Sequence, residues 1–329
     1  MKFLFTINPM TGHFHPMVPV AKALRDRGHE VGFATARSFG HVVTKAEFRH
    51  FPAGADHDGS KEIFLALQEK GVISKDIALG TDVYLKLFID VLAPRIADDI
   101  LDLAKTWKPD VIIREQTEFG GCVAAEKLDI PHALVSWAFH LSGPKASQML
   151  PGKNPLARLW NKLAIAFRLA RLWMRYGLPF YQFVPALEKY FVLDFMPPTW
   201  TATASTPANV SHAFFAPPFD RSGDEGLPTW LGDLSGAPLV YATLGTTFNQ
   251  RADLFGLVID AFRNQPFNLI VTVGRSMDPA QFGELPSNIK VERYIPQSLI
   301  LPHCDAIIYH GGFNTLLSSL AAGLPQIVV

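Results

Sequence analysis

The strongest constraint on the fold is one unit that recurs along the chain: a short apolar run, a turn rich in glycine or proline, and then a segment with helical spacing of its apolar residues. Lys2–Ile7 is such a run. Pro9–Pro16 is the turn, and Val18, Ala21 and Leu24 mark a helix that Gly28 closes before a second run, Glu30–Thr35. Short apolar runs suit strands buried on both faces. Alternation of such strands with helices specifies a parallel sheet with right-handed crossovers, the doubly wound α/β architecture. The unit returns at Val111–Ile113, Thr117–Lys127 and Ala133–Ser136. It returns again at Leu239–Thr243, Leu254–Phe262, Asn268–Val273, Ile289–Arg293, Ala306–Tyr309 and Asn314–Ala322.

Two such series in 329 residues predict two α/β domains. A stretch with Pro207, Pro217, Pro218, Gly223, Gly226, Pro228, Gly232 and Gly236 separates them, so the expected division is 1–206, a linker at 207–237, and 238–329. The chain ends on Ile327-Val328-Val329, which reads as the middle of another buried strand, so the second domain is expected to be truncated. Residues 154–195 depart from the pattern. Leu159, Leu163, Phe167, Ala170 and Met174 share one helical face, and Arg168, Arg171 and Arg175 another. This predicts a core-facing helix with a solvated basic side; the alternative is a cap over a hydrophobic ligand or a lipid-touching surface.

Composition narrows the function classes. Lysine plus arginine equal aspartate plus glutamate at 30 each, which gives no electrostatic footprint for nucleic acid. The two cysteines, Cys122 and Cys304, are far apart in apolar surroundings and read as buried thiols rather than a disulfide or metal site. The start carries no secretory pattern, and no apolar run approaches the roughly 18 residues of a membrane span. A cytoplasmic protein without membrane contact is the default expectation.

The most specific motif is Tyr309-His310-Gly311-Gly312-Phe313-Asn314-Thr315, between an expected strand and helix. A bare glycine pair would mean only a tight turn. Here the glycines admit close backbone approach, the helix start offers free amides and a positive dipole end, and His310, Asn314 and Thr315 add side-chain donors. Together they predict a diphosphate cradle. Tyr294-Ile295-Pro296-Gln297 offers a ring to stack a nucleobase and an Ile295 backbone to read its edge. Gly245-Thr246 follows a strand where a phosphate or sugar would sit. In the first domain His13 lies in the first strand-to-helix turn, at the sheet edge where open α/β folds bind ligands. Imidazole is the side-chain base that suits neutral pH, and it needs a carboxylate to orient it. Glu115 ends another strand of the same domain; Glu118 is its nearby competitor. The positive start of the helix that follows Gly312 can take a metal's place at the diphosphate, so neither a metal nor a cofactor is expected.

These residues together resemble the inverting, nucleotide-sugar-dependent natural-product glycosyltransferases of the GT-B fold, a family that includes macrolide, enediyne and plant secondary-metabolite enzymes. The resemblance spans the His13 turn, 108–131, Pro238–Thr247 and Tyr294–Pro325. It implies two Rossmann-like domains facing a cleft, with the acceptor held by the first and the sugar nucleotide by the second. It also implies His13 as general base and Glu115 as its partner. Gly245, Thr246, Tyr294, Ile295, Gln297, His310, Gly311, Gly312, Asn314, Thr315 and Ser318 become donor contacts, and Phe14, Glu118, Trp137 and His140 candidate acceptor contacts. Plant members carry a glutamate at the position of Ser318 to hold both ribose hydroxyls. Its absence points to a thymidine-diphosphate (TDP) sugar, whose deoxyribose lacks the 2′-hydroxyl. The Trp- and Phe-rich 137–195 segment points to a hydrophobic hydroxylated acceptor. The competing readings are a lipid glycosyltransferase, a non-catalytic sugar-nucleotide-binding or activator protein, and an epimerase of the same fold.

Overall fold

The computed structural model describes residues 1–55, 84–137, 155–197, 210–215, 219–221, 225–234, 236–245, 251–274 and 277–329. They divide into two compact units, Met1–Pro217 and Pro218–Val329.

The first unit holds a seven-stranded, wholly parallel sheet of order β3-β2-β1-β4-β5-β6-β7. Its strands are β1 (Lys2–Thr6), β2 (Glu30–Thr35), β3 (Arg49–Pro52), β4 (Val111–Glu115), β5 (His132–Ser136), β6 (Phe191–Asp194) and β7 (Ser211–Ala213). Its helices are α1 (Thr11–Phe14), α2 (Met17–Asp26), α3 (Gly40–Lys45), α4 (Ala93–Trp107), α5 (Gly120–Leu128), α6 (Pro155–Arg175) and α7 (Phe183–Leu187), with a π-helical stretch, Tyr84–Leu92, running into α4. The central strands are closed to water on both sides: Leu4, Phe5, Phe33, Ala34 and Ile112 are fully buried. The strand order reverses between β1 and β4, which places the turn after β1 beside the end of β4.

The second unit repeats the plan with five parallel strands in the order β10-β9-β8-β11-β12. These are β8 (Leu239–Thr243), β9 (Asn268–Thr272), β10 (Ile289–Glu292), β11 (Ala306–Tyr309) and β12 (Gln326–Val328), with helices α8 (Ala252–Phe262), α9 (Gln297–Ile300) and α10 (Phe313–Ala321). The reversal falls between β8 and β11, whose last residues, Thr243 and Tyr309, are in register.

Three departures from the sequence expectations have physical causes. The segment read as a linker contributes structure at both ends: Ser211–Ala213 forms the edge of the first sheet, and Trp230, Leu231 and Leu234 pack into the second core. Helix α5 starts at Gly120 rather than Thr117, because the Thr117 amide is drawn to Glu115 Oε2 (2.6 Å) and the Glu118 carboxylate instead receives the Gly121 amide (2.9 Å).

The third departure concerns α6, whose expected core stripe faces solvent. Leu159, Leu163, Phe167 and Met174 are 52%, 51%, 68% and 53% exposed, whereas Leu169, Leu172 and Trp173 on the adjoining face are buried against Phe119, Cys122, Val123 and Leu187. The core takes the face set by the strong anchor Trp173, fully buried, and Arg168 turns to an ion pair with Asp90. Trp173→Ala is expected to destabilise the fold by about 3–5 kcal/mol, the cost of a large core deletion, read as a shifted urea midpoint at unchanged slope. Among the described residues no helix is long and apolar enough to cross a membrane.

Candidate functional site

In the first unit, β1 runs out at Thr6 and the chain folds over its end: Asn8 is nearly buried, and the single turn α1 lifts His13 toward the end of β4. His13 Nδ1 meets Glu115 Oε1 at 2.8 Å, with the imidazole 13% exposed and the carboxylate wholly buried. The same Oε1 accepts from Asn8 Nδ2 (2.8 Å) and Thr117 Oγ1 (2.8 Å), and Oε2 accepts from the Thr117 amide (2.6 Å). Burial alone would push Glu115 up. The His13 charge, the His13 hydrogen bond and the two Thr117 hydrogen bonds outweigh it and hold the carboxyl below its ordinary range. With Nδ1–H committed to the carboxylate, the second ring nitrogen, Nε2, is the atom left to accept a proton. Around the imidazole lie Trp137, edge-on at 5.2 Å between centroids, and Phe88, near-parallel at 6.0 Å. The Trp137 Nε1 is buried with no hydrogen-bond partner among the described residues.

Two of the expected acceptor contacts are corrected here. Phe14 is fully buried, packed on Phe33 and Phe39, because α1 turns it into the core as the price of presenting His13. Glu118 is also buried; it accepts from Thr6 Oγ1 (2.5 Å) and the Gly121 amide and caps α5 rather than competing with Glu115. His140 lies outside the described residues, as does Thr246 of the donor set. Asn8, Thr117 and Phe88 went unread in the sequence, as did Arg114. Its buried guanidinium donates to the Leu187 carbonyl.

Burial raises Glu118 to about 7 and the neighbouring Glu115 charge adds to this, against the pull of Thr6, Gly121 and Arg114. Its folded value lies above the unfolded one, so the native state binds the extra proton and stability falls as pH rises from about 4.5 to about 7. Glu118→Gln removes this dependence. The variant is expected to match the wild type near pH 4 and to exceed it by about 3 kcal/mol near pH 8, as measured by urea denaturation at both pH values.

In the second unit, the turns after β8 and β11 face each other across the strand-order reversal. His310 is wedged between two glycines. A Cβ on Gly245 would lie 2.5 Å from its Cε1, and a Cβ on Gly312 2.7 Å from Cε1 and Nε2. Gly245 also has φ +76°, a conformation that side chains resist. Burial lowers the His310 pKa, so at neutral pH the ring is neutral, and its Nδ1 is buried with no partner among the described residues. Helix α10 begins at once, with Gly312 at its N-cap. The positive end of a nine-residue helix and one imidazole N–H thus lie beside glycine backbone. Gln297 and Thr315, expected as separate ligand contacts, meet each other: Gln297 Nε2 donates to Thr315 Oγ1 at 3.1 Å, and Thr315 is 95% buried. The Ile295 side chain is buried in the core, which leaves its backbone. Tyr294 is half-buried and its hydroxyl donates to the Asp220 carbonyl, while the Asp220 carboxylate holds Ser298 N and Oγ, both at 2.6 Å. Ser318 lies one turn along α10 from Asn314. Among the described residues no group of three or more His, Cys, Asp or Glu is placed to hold a metal ion.

Residues 22–245 match the family model of the erythromycin biosynthesis protein CIII-like N-terminal domain, and residues 257–329 its C-terminal counterpart. The chain belongs to this family. It is a glycosyltransferase of the GT-B fold. It is 28% identical to 4′-demethylrebeccamycin synthase of Lentzea aerocolonigenes over 99% of its own length and 82% of that protein. It is 25% identical to TDP-daunosamine transferase DnrS of Streptomyces peucetius over 100% of its own length and 80% of that protein. The crystal structure of the glycosyltransferase SnogD from Streptomyces nogalater superposes with a TM-score of 0.73 at 27% identity, covering 100% of this chain and 81% of that one. Both sheets, with their reversals at β1/β4 and β8/β11, are therefore those of a sugar-transferring family, and the His13 and His310 sites sit at those reversals.

Proposed function

We propose that this glycosyltransferase moves a hexose from a TDP-sugar to a hydroxyl of a hydrophobic natural product, with inversion at the anomeric carbon and without a metal ion. The observation that carries the acceptor half is the His13–Glu115 contact at 2.8 Å, in which a buried carboxylate holds one ring nitrogen and leaves the other as base. His13 Nε2 takes the proton of the attacking hydroxyl, and the ionised Glu115 stabilises the imidazolium that forms. The Trp137 and Phe88 rings flanking His13 favour an apolar acceptor, and the Trp137 N–H, which has no partner among the described residues, offers a hydrogen bond to one of its oxygens.

For the donor, the N-terminus of α10, the backbone of Gly311 and Gly312, Asn314 and the neutral His310 neutralise the departing diphosphate, the role a metal plays in other transferases. Tyr294 stacks the base, Ile295 reads it through its backbone, and Gln297 and Thr315 brace the first turn of α10 from within. Ser318 in place of a ribose-clamping glutamate, together with the relative named for a TDP-sugar, supports TDP over UDP.

The test is product analysis with a panel of TDP-sugars and hydrophobic hydroxylated acceptors. A new glycoside whose anomeric configuration is opposite to that of the donor supports the reading. Retention of configuration, or conversion of the sugar nucleotide with no acceptor present, overturns it.

A further inference from the structure

Glu115 receives more hydrogen bonds than a carboxylate needs merely to orient one histidine. Four donors converge on it: His13 Nδ1, Asn8 Nδ2, Thr117 Oγ1 and the Thr117 amide. Two of these also bond each other, Asn8 Nδ2 donating to Thr117 Oγ1 at 3.0 Å, and Thr117 Oγ1 lies 3.2 Å from His13 Nδ1. The hydroxyl has one proton to give, and its direction decides the state of the histidine. If Thr117 gave that proton to Nδ1, the ring would have to carry its own proton on Nε2 and would lose its base. The amide of Asn8 prevents this. It fills a lone pair of the Thr117 oxygen from one side, and the charged Oε1, 2.8 Å away, draws the hydroxyl proton on the other. Nδ1 then has a proton to donate, and the charged Glu115 Oε1 at 2.8 Å, nearer than the Thr117 oxygen at 3.2 Å, accepts it.

We infer that Asn8 and Thr117 are positioning residues that fix His13 in the tautomer protonated at Nδ1 and bare at Nε2, acting through the hydrogen-bonded ring they close around Glu115. The inference rests on the proposed role of His13 as base. It explains why Asn8, three per cent exposed, sits where β1 ends, and why the amide of Thr117 is spent on a side chain instead of starting α5. Neither residue touches the reacting atoms; both act on the base through the carboxylate.

The test reads the tautomer directly. Two-bond proton–nitrogen correlation spectra of ¹⁵N-histidine-labelled protein separate protonated from bare ring nitrogens, and the His13→Gln spectrum assigns the signal among the 11 histidines. The wild type is expected to show His13 protonated at Nδ1 alone. Asn8→Ala and Thr117→Val are expected to show a tautomer mixture, and Thr117→Ser to restore the single form. On any acceptor that the wild type converts, kcat should fall about tenfold in the first two variants with the KM for the donor unchanged. A single Nδ1–H tautomer persisting in both variants overturns the inference, as does an Nε2–H tautomer in the wild type. Circular dichroism checks the fold, and Asn8→Leu replaces Thr117→Val if that variant does not fold. Full transfer activity in His13→Ala would instead defeat the proposed base, an outcome that the tautomer spectra do not share.

Discussion

His13→Ala is expected to lower the transfer rate by roughly 10²–10⁴-fold, the range a positioned general base contributes, while leaving TDP affinity unchanged. The prediction follows from where the residue sits. The imidazole belongs to the first unit and ends a chain of buried hydrogen bonds that starts in β4, whereas the proposed diphosphate contacts belong to the second unit, around β8, β11 and α10. Glu115→Gln should give a smaller defect of the same kind. It keeps the shape but offers Nδ1 a neutral partner and removes the charge that stabilises the imidazolium. Steady-state rates with saturating donor, alongside calorimetry of TDP binding, separate loss of the base from loss of the fold. If His13→Ala weakened TDP binding as much as it slowed transfer, the residue would be holding the structure together rather than the proton.

Gly312→Ala is the second large effect. The backbone of Gly312 has φ −66° and ψ 133°, which alanine adopts freely, so conformational strain does not enter. What enters is the methyl group, 2.7 Å from both Cε1 and Nε2 of His310, which has to move the ring out of its slot. Losing one hydrogen bond to a charged phosphate corresponds to about 1.5–3 kcal/mol, so TDP affinity should drop about 10- to 150-fold while the urea midpoint changes little. Gly245→Ala should do at least as much, because it adds the strain of a left-handed φ to the same collision. His310→Ala should reproduce the loss in affinity without either glycine being touched. Binding unchanged in all three would place the diphosphate elsewhere.

Much of this was legible because parallel α/β units write themselves plainly. Buried strands such as Leu239–Thr243 are short apolar runs, the turns after them need glycine, and ligand-binding edges follow from strand order. His13, Glu115 and the His310–Thr315 turn stood out because each sets a titratable side chain or a glycine-rich helix start at such an edge. Side-chain direction was the harder part. Phe14 neighbours the base in sequence, yet one turn of α1 sends it to the core, and nothing in the local pattern says which of two adjacent aromatic positions faces in. Glu115 and Glu118 differ by three residues and both are buried. What separates them is that His13 meets the first and Thr6 the second, each from more than a hundred positions away, while the nearby Gly121 amide completes the Glu118 site. The outward stripe of α6 failed for a related reason: two apolar faces compete on one helix, and only the packing of Trp173 and Leu169 chooses between them. Asn8 and Thr117 are ordinary turn residues until the fold closes them around one carboxylate.

The central claim is that the second unit binds a thymidine diphosphate as the leaving half of a sugar donor, and the most direct measurement is calorimetric titration of the chain with TDP and with UDP, repeated on His310→Ala. The account predicts that TDP binds, that UDP binds more weakly, and that His310→Ala loses most of the TDP affinity. No binding of either nucleotide, or TDP affinity untouched by the loss of His310, would contradict it.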